Sequence, residues 1–454
     1  MDVRIVVETV FEDGTTRKHE LGAWSRPFRQ MSGEAVGLTL EDAKAVLAQI
    51  QKTIVQDQVE EMSKACRPCP GCGHVRRIHD YRSRKLETMF GRLSVRAPRI
   101  KLCACQADAH GRIGSPLSPL SYFLPDRATP EFQRLQAELA SRHSFREAAR
   151  LMNTFLPCKA QSHVTTRNRL GRVAEQLEPG FPCDKTATAE TSQKVALANL
   201  FLDGAHIRCR PEYQKRHLDV VVGRIETTTG SRRFGFVGSA SPSPDRQIRE
   251  DLVAAGWRPG NPITVFSDGE PALVNYVRQA TRQPVTHILD WWHISMRIKH
   301  IENATTGLAQ AAWGRKGAGT LPGLAGRIRW LVWHGQLSRA LAAIQTLTHM
   351  SRRLEDLSRP EIKASIRKTT ARCDALETYL RNNAGSIPSY AKRHNAGLPI
   401  SSSRAEGCVD DIANTRMGKR RRMRWSPRGA HRVALARAAV LDGRLKISHR
   451  QNVA

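Results

Sequence analysis

Between residues 195 and 293 the chain alternates apolar, strand-like runs with amphipathic stretches, and this order constrains the fold more than any other feature. VALANLFLDGAHIR comes first, then HLDVVVGRIET and RRFGFVGSA, the last two separated by a Thr-Thr-Gly turn. Runs of β-branched and aromatic residues bounded by turn residues predict strands. A helix is predicted over 245–255, a fourth strand over PITVFSDG, a helix over PALVNYVRQAT and a fifth strand over PVTHILDWWH. Three antiparallel strands feeding a helix–strand–helix–strand series predict a mixed five-stranded sheet with helices on its faces. In that topology the first and fourth strands are neighbours.

Two aspartates stand out against this frame. Asp203 interrupts the apolar string LANLFLDGAHI, and Asp268 closes TVFSDG at the end of the fourth strand. A buried carboxylate needs a cation or hydrogen bonds to offset its desolvation, and sites gather at strand ends in α/β sheets. Neighbouring strands bring the two together, and hard, oxygen-binding cations relieve the repulsion between close carboxylates. A third acid on a covering helix completes a two-metal site for phosphodiester displacement. Glu406, in ISSSRAEGCVDDIANTRM, is the candidate, with Asp410 and Asp411 as competitors. Asp290 is a further acid at a strand end, and each single aspartate also reads as a turn or a hydrogen-bonded core acid.

The remaining chain reads as separate modules of a multidomain α+β/α/β protein. Residues 1–65 predict a hairpin about Asp13-Gly14 and a helix over 39–64 that Thr39 caps. Residues 130–180 predict three helices. The break at Leu156-Pro157 before HVTTRNRLGRVAEQL is compatible with a helix-turn-helix or with a plain three-helix bundle. Segments 111–130 and 178–194 read as linkers. After the core's first part, 195–300, a helical stretch fills 301–396, and 397–454 holds the helix of Glu406 and a basic run.

Residues 66–110 carry five of the ten cysteines. Cys69-x-x-Cys72 followed by Cys103-x-Cys105 after two strands reads as a zinc-ribbon-like module with a structural Zn²⁺ on four thiolates. Cys66 or His74 are alternative ligands, and free thiols in a small β unit are the plain alternative. The chain carries 72 Lys+Arg against 42 Asp+Glu, a net charge of +30, which attracts polyanions. It has no apolar run of about 18 residues, so nucleic acid is favoured over membrane and an intracellular setting is expected. Candidate DNA contacts are Arg76 and Arg77 in the cysteine module, Arg167 and Arg169 in the third helix, and Lys419, Arg420, Arg421, Arg422 and Arg424 in the basic run. Trp291 and Trp292 are candidates for stacking on an unpaired base or for the core.

LFLDGAHIR, VFSDGEPAL, LDWWH and SRAEGCVDDIANTRMGKRRRMRW together resemble bacterial insertion-sequence transposases of the DDE class with an RNase H-like core. Asp290 to His293 is similar to the aspartate-x-x-histidine signature of Mutator-like transposases. The resemblance runs from about Cys66 to Arg432. It implies an RNase H-like sheet with a helical insertion before Glu406, and Asp203, Asp268 and Glu406 as ligands of two Mg²⁺ or Mn²⁺ ions. Asp290 and His293 become an accessory pair near the scissile phosphate or flanking DNA, though a core-edge histidine is the bland alternative. The implied activity is metal-dependent cleavage at the element end, then attack of the freed 3′-hydroxyl on target DNA. The implied partners are terminal inverted repeats, bound in part by the cysteine module, and target duplex. Joining two ends implies a homo-oligomer, dimer or larger, at the bacterial nucleoid. A transposase-derived regulator without catalysis and an RNase H-like nuclease that cuts without joining are the alternatives.

Overall fold

The computed structural model describes residues 2–25, 33, 36–107, 113–178, 197–241, 243–313 and 319–445. The chain divides into two compact units, Met1–Thr188 with Gly443–Ala454, and Ala189–Asp442. It is a mixed α/β protein whose largest sheet has five strands.

The first unit opens with the expected hairpin, β1 (Asp2–Val10) and β2 (Thr16–Ser25). Its turn is closed by the Gly14 amide donating to the Phe11 carbonyl, with Gly14 at φ +78°. Helix α1 (Leu40–Ala65) begins at Thr39, whose hydroxyl accepts from the Asp42 amide while the Asp42 carboxylate accepts from the Thr39 amide, a complete capping box. Asp57 of α1 is buried, but its carboxylate accepts from the Thr9 hydroxyl at 2.7 Å and the Arg17 guanidinium at 3.0 Å. The cysteine module is built on a second hairpin, β3 (Ile78–Thr88) and β4 (Gly91–Ile100). Alternation along β4 turns Leu93, Val95 and Ala97 onto Val55 and Val59 of α1. The segment expected to be a linker instead folds into a short helix, α2 (Pro119–Phe123), because Leu120 fills the same core. The second expected linker, 178–194, lies almost wholly outside the described residues.

Helices α3 (Pro130–Arg142), α4 (Phe145–Phe155) and α5 (His163–Glu175) follow, with Ser144 and Ser162 capping α4 and α5. Residues 156–162 join α4 to α5, longer than the three- or four-residue turn of a helix-turn-helix.

In the second unit β5 (Ala198–Arg208), β6 (His217–Glu226), β7 (Ser231–Val237), α6 (Pro244–Ala254), β8 (Ile263–Ser267), α7 (Pro271–Thr281) and β9 (Thr286–Leu289) appear in the expected sequence. The sheet order is β7-β6-β5-β8-β9, with β5, β8 and β9 parallel and β6 and β7 antiparallel. The first and fourth strands of the series are therefore neighbours. The fifth strand is shorter than expected: Asp290 ends it and Trp291 starts α8 (Trp291–Trp313). The physical reason is local, since the Asp290 carboxylate accepts from the Trp292 amide and so caps the new helix. Helices α9 (Thr320–Trp333), α10 (Leu337–Leu357), α11 (Pro360–Asn382) and α12 (Tyr390–Asn395) complete the helical segment. They share one apolar core with Phe201, Phe266 and Leu289 from the sheet. The other face packs Leu200, Leu202 and Val265 against α6 and α7.

Glu406 lies on α13 (Ser403–Cys408), followed by a π turn at Val409–Asn414, the single turn α14 (Thr415–Met417) and a 3-10 turn at Lys419–Arg421. A last helix, α15 (Pro427–Leu441), was not anticipated. Its arginines masked an alanine-rich face that buries Val433, Ala434 and Ala438 and packs on β7.

Candidate active site and cysteine cluster

Side chains alternate along a strand, so Phe201 and Asp203 share one face of β5, as Phe266 and Asp268 share that of the β8 segment. Phe201 pairs with Phe266 in the parallel register, and their rings stack at 4.8 Å. Carried two residues on, that register brings Asp203 beside Asp268. Ser267 pairs with Leu289, so Asp290 ends β9 level with Asp268. Three aspartates thus stand at the carboxyl edge of the parallel strands. Gly269, at φ +95°, makes the turn after Asp268; a Cβ there would lie 2.9 Å from Leu289 Cδ1 and 2.7 Å from Asn383 Oδ1, so only glycine fits.

Asp290 is the anchor of the group. It is fully buried, and its carboxylate accepts from the Trp292 amide at 2.9 Å, His293 Nδ1 at 2.6 Å and the Ser402 hydroxyl at 2.9 Å. Its own amide donates to the Ser267 carbonyl at 2.9 Å. The Ser402 carbonyl in turn accepts from the amides of Ala405 and Glu406. One serine therefore ties the start of α13, and Glu406 on it, to the end of β9. Sequence reasoning missed Ser402, because nothing in the polar loop ISSS distinguishes it from Ser401 or Ser403.

The ligand atoms of Asp290, His293 and Glu406 all lie within 4.8 Å of one another, an arrangement able to hold a metal ion. Among the described residues Asp203, Asp268 and Glu406 do not form such a group by themselves. They are electrostatically coupled all the same. Burial pushes the Asp203 carboxyl up to about 6, and the charges of Asp268 and Glu406 push the same way, against the Gly204 amide and His293. Burial also raises Glu406, with Asp290 adding to it. His293 is raised chiefly by its hydrogen bond to Asp290. Four carboxylates thus meet one imidazole, and this excess of negative charge fits one or more bound cations. Of the competitors, Asp410 is exposed and accepts from the Asn414 side-chain amide, and its charge adds to the push on Glu406.

Behind the edge, the Tyr379 hydroxyl of α11 donates to the Asp268 carbonyl at 2.7 Å. His287 of β9 bridges the Ser267 and Ser386 hydroxyls at 2.9 and 2.7 Å. Burial holds this histidine down near 4, so it serves as a neutral bridge. Neither residue had a sequence signal, since both act through partners distant in the chain.

In the first unit Cys69, Cys72, Cys103 and Cys105 form the other metal-capable group. Sulfur atoms lie 3.4 Å apart for Cys69–Cys105 and 3.5 Å for Cys72–Cys103 and Cys72–Cys105. These separations far exceed a disulfide bond and approach the roughly 3.8 Å edge of a tetrahedron with metal–sulfur bonds of about 2.3 Å. The knuckle closes through the Cys69 amide on the His74 carbonyl and the Gly73 amide on the Cys69 carbonyl. Amides at Gly71 and Cys72 hold the Cys69 thiol down to about 6 despite its burial. Cys66 and His74 are outside the group.

The expected DNA contacts separate into two kinds. Arg76 is buried, and its guanidinium donates to the carbonyls of Cys66 and Arg67 and to Gln106 Oε1, bracing the knuckle. Arg169 is also buried, bonded to Gln136 and Gln161 and stacked over Phe132. Neither faces solvent, which corrects their assignment as phosphate contacts. Arg77, Arg167, Arg420, Arg421, Arg422 and Arg424 are exposed; of Lys419 only the backbone, in the 3-10 turn, is among the described residues, and its side chain lies outside them. Trp291 packs against Trp333 and Tyr390 as a core residue, whereas Trp292 is 45% exposed. Arg420 and Arg421 line a cleft of about 1080 Å³ with Gly204, His206, Asp410 and Thr415. No helix is long and apolar enough to cross a membrane among the described residues.

No protein-family model matches this chain, and no curated protein matches it by sequence.

Proposed function

We propose that this protein is a DNA transposase of the DDE type, with an RNase H-like core that cuts DNA at the ends of a mobile element and joins it to target DNA. The observation that carries the reading is the gathering of Asp203, Asp268, Asp290 and Glu406 at one carboxyl edge, with a single imidazole among them. Such a concentration of carboxylates suits divalent cations of the Mg²⁺ or Mn²⁺ kind, held by Asp203, Asp268 and Glu406. Bound there, these ions would supply Lewis-acid stabilisation of phosphodiester oxygens. Asp290 fixes the His293 ring through Nδ1, leaving Nε2 as the atom that faces a ligand or a phosphate oxygen. Ser402 and Tyr379 hold Glu406 and the Asp268 backbone in place. Exposed Trp292, one residue before His293, offers a stacking surface for an unpaired base.

In this reading the cysteine group takes a structural Zn²⁺, and the first unit recognises the element ends. Joining two ends calls for a dimer or larger assembly in the bacterial cytoplasm.

The test is cleavage and strand transfer on labelled duplexes that carry the DNA flanking the coding region, in Mg²⁺ or Mn²⁺, comparing wild type with Asp203→Asn. Metal-dependent cutting and joining that Asp203→Asn abolishes, with DNA binding kept, supports the proposal. Cutting without joining favours a nuclease. End binding without cutting by the wild-type protein favours a regulator.

A further inference from the structure

We propose that a small basic cleft at the far end of β5 is a second phosphodiester site, which grips DNA flanking the cut. The proposal rests on the phosphodiester-cutting reading above. It starts from a mismatch in strand length. β8 stops at Ser267, and its pairing with β5 reaches only Phe201, whereas β5 runs on to Arg208. The vacated edge is taken up again by Trp425, whose amide donates to the Arg208 carbonyl at 2.9 Å and whose carbonyl accepts from Arg210 at 3.0 Å. Trp425 is buried, with the guanidinium of buried Arg416 over its ring. The basic run is thereby stitched to the strand that carries Asp203, and Arg424 is set close to Arg208.

The turn between β5 and β6 adds Lys215 and Arg216, and the first residue of β6 adds His217. Together they line a cleft of about 440 Å³ with Cys209 and Arg424, and no carboxylate lines it. Several other cations of this unit are neutralised, as Arg232 is by Asp251, Arg233 by Asp442 and Arg329 by Glu302. Among the described residues, the side chains of Arg208, Lys215, Arg216 and Arg424 have no hydrogen-bond or ion-pair partner. Four unpaired like charges around one cleft repel unless an anion sits among them, and forked guanidinium groups match phosphate oxygens.

The larger cleft lined by Gly204, His206, Arg420 and Arg421 lies on the stretch of β5 between Asp203 and Arg208. From Asp203 to Arg208 the strand rises roughly 17 Å at about 3.4 Å per residue. That equals about five phosphates of one strand of B-form DNA at roughly 3.4 Å each. Asp203 and Arg208 lie on opposite faces by strand alternation, so the backbone passes round the open edge of β5 where β8 has ended. A nucleotide pocket would need apolar surface for a base, and this cleft offers little.

The experiment is fluorescence anisotropy of a labelled duplex of about 30 base pairs, in EDTA, over about 50 to 300 mM KCl. It compares the full chain, the variant Arg208→Ala/Arg216→Ala/Arg424→Ala, and a control, Arg150→Ala/Arg246→Ala/Arg381→Ala, which removes exposed but paired arginines. The slope of log affinity against log salt should become shallower by about 0.9 for each cleft arginine removed, and low-salt affinity should fall by one to two orders of magnitude. The control should bind as wild type. Equal slopes for cleft and control variants overturn the site, as does a wild-type chain that binds no duplex. An unchanged slope together with binding of inorganic phosphate marks a soluble-anion pocket, which also overturns it. If the triple variant fails to fold, Lys215→Ala alone must show a one-contact change in slope. Metal-dependent cleavage by wild type and Asp203→Asn is scored separately: a shifted slope without cleavage keeps this site and removes the transposase reading, and the converse removes only this site.

Discussion

The four thiols of the cysteine group come from two short turns at the ends of one hairpin, whereas the carboxylates of the second unit come from three strands and a helix spread over residues 203–406. The hairpin closes a short loop, so its ligands need little beyond local turn chemistry to meet. The carboxylate group needs the whole sheet order, the helical segment and the Ser402–Asp290 bond before Glu406 arrives. The four thiols gather within one ligand distance, as in a closed structural site, while the carboxylates remain short of positive charge. In the proposed reading, an ion in the first case would stabilise a fold, and in the second it would relieve the repulsion between carboxylates and leave room for a substrate.

This contrast can be broken experimentally. The largest effect is expected from Cys69→Ser. Metal analysis should show about one zinc ion per chain lost, with an apparent binding energy on the order of 10 kcal/mol behind it. Limited proteolysis should then cut within 66–106 and spare 197–442. Equal protease resistance in both forms would show that the thiols do not organise this module. Asp203→Asn should lower metal-dependent DNA cleavage about 10³-fold, since several kcal/mol of charge stabilisation is lost, while duplex affinity in EDTA stays unchanged. Ser402→Ala removes one of three donors to Asp290 and loosens α13. Mn²⁺ affinity, measured by calorimetry, should fall roughly tenfold with the unfolding midpoint nearly kept; an unchanged affinity would make Ser402 a bystander.

The smallest effect concerns pH. Burial holds His287 and His431 down near 4, against an ordinary value of 6.5. Depressed histidines contribute stability that is fully present above 6.5 and is lost as pH falls toward 4, because the unfolded chain takes up protons that the fold refuses. Melts of the full chain should drop on acidification between those limits, and His431→Gln should flatten the drop by about 2–4 °C. An identical profile would show that His431 is protonated without cost.

Much of the element order in both units was legible because its signals are local. Apolar strand runs, Asp13-Gly14 and the Thr39 cap each act within a few residues. The misplaced features share another origin. Arg76 and Arg169 look like surface charges until tertiary contacts supply their carbonyl, amide and aromatic partners. Trp291 and Trp292 are indistinguishable in sequence, and only the helix start at Asp290 turns one inward and one out.

The sequence by itself determined the order of strands and helices, the cysteine spacing, the positive charge and the placing of Asp203 within one strand and Asp268 at the end of its neighbour, since period and spacing are read along the chain. Only the tertiary structure decided that Asp290, His293 and Glu406 share one ligand distance, that Ser402 and Tyr379 support them, and which arginines face solvent. Burial and partnership belong to groups that meet through space, and the free energy of a buried charge depends on those groups rather than on its neighbours in sequence.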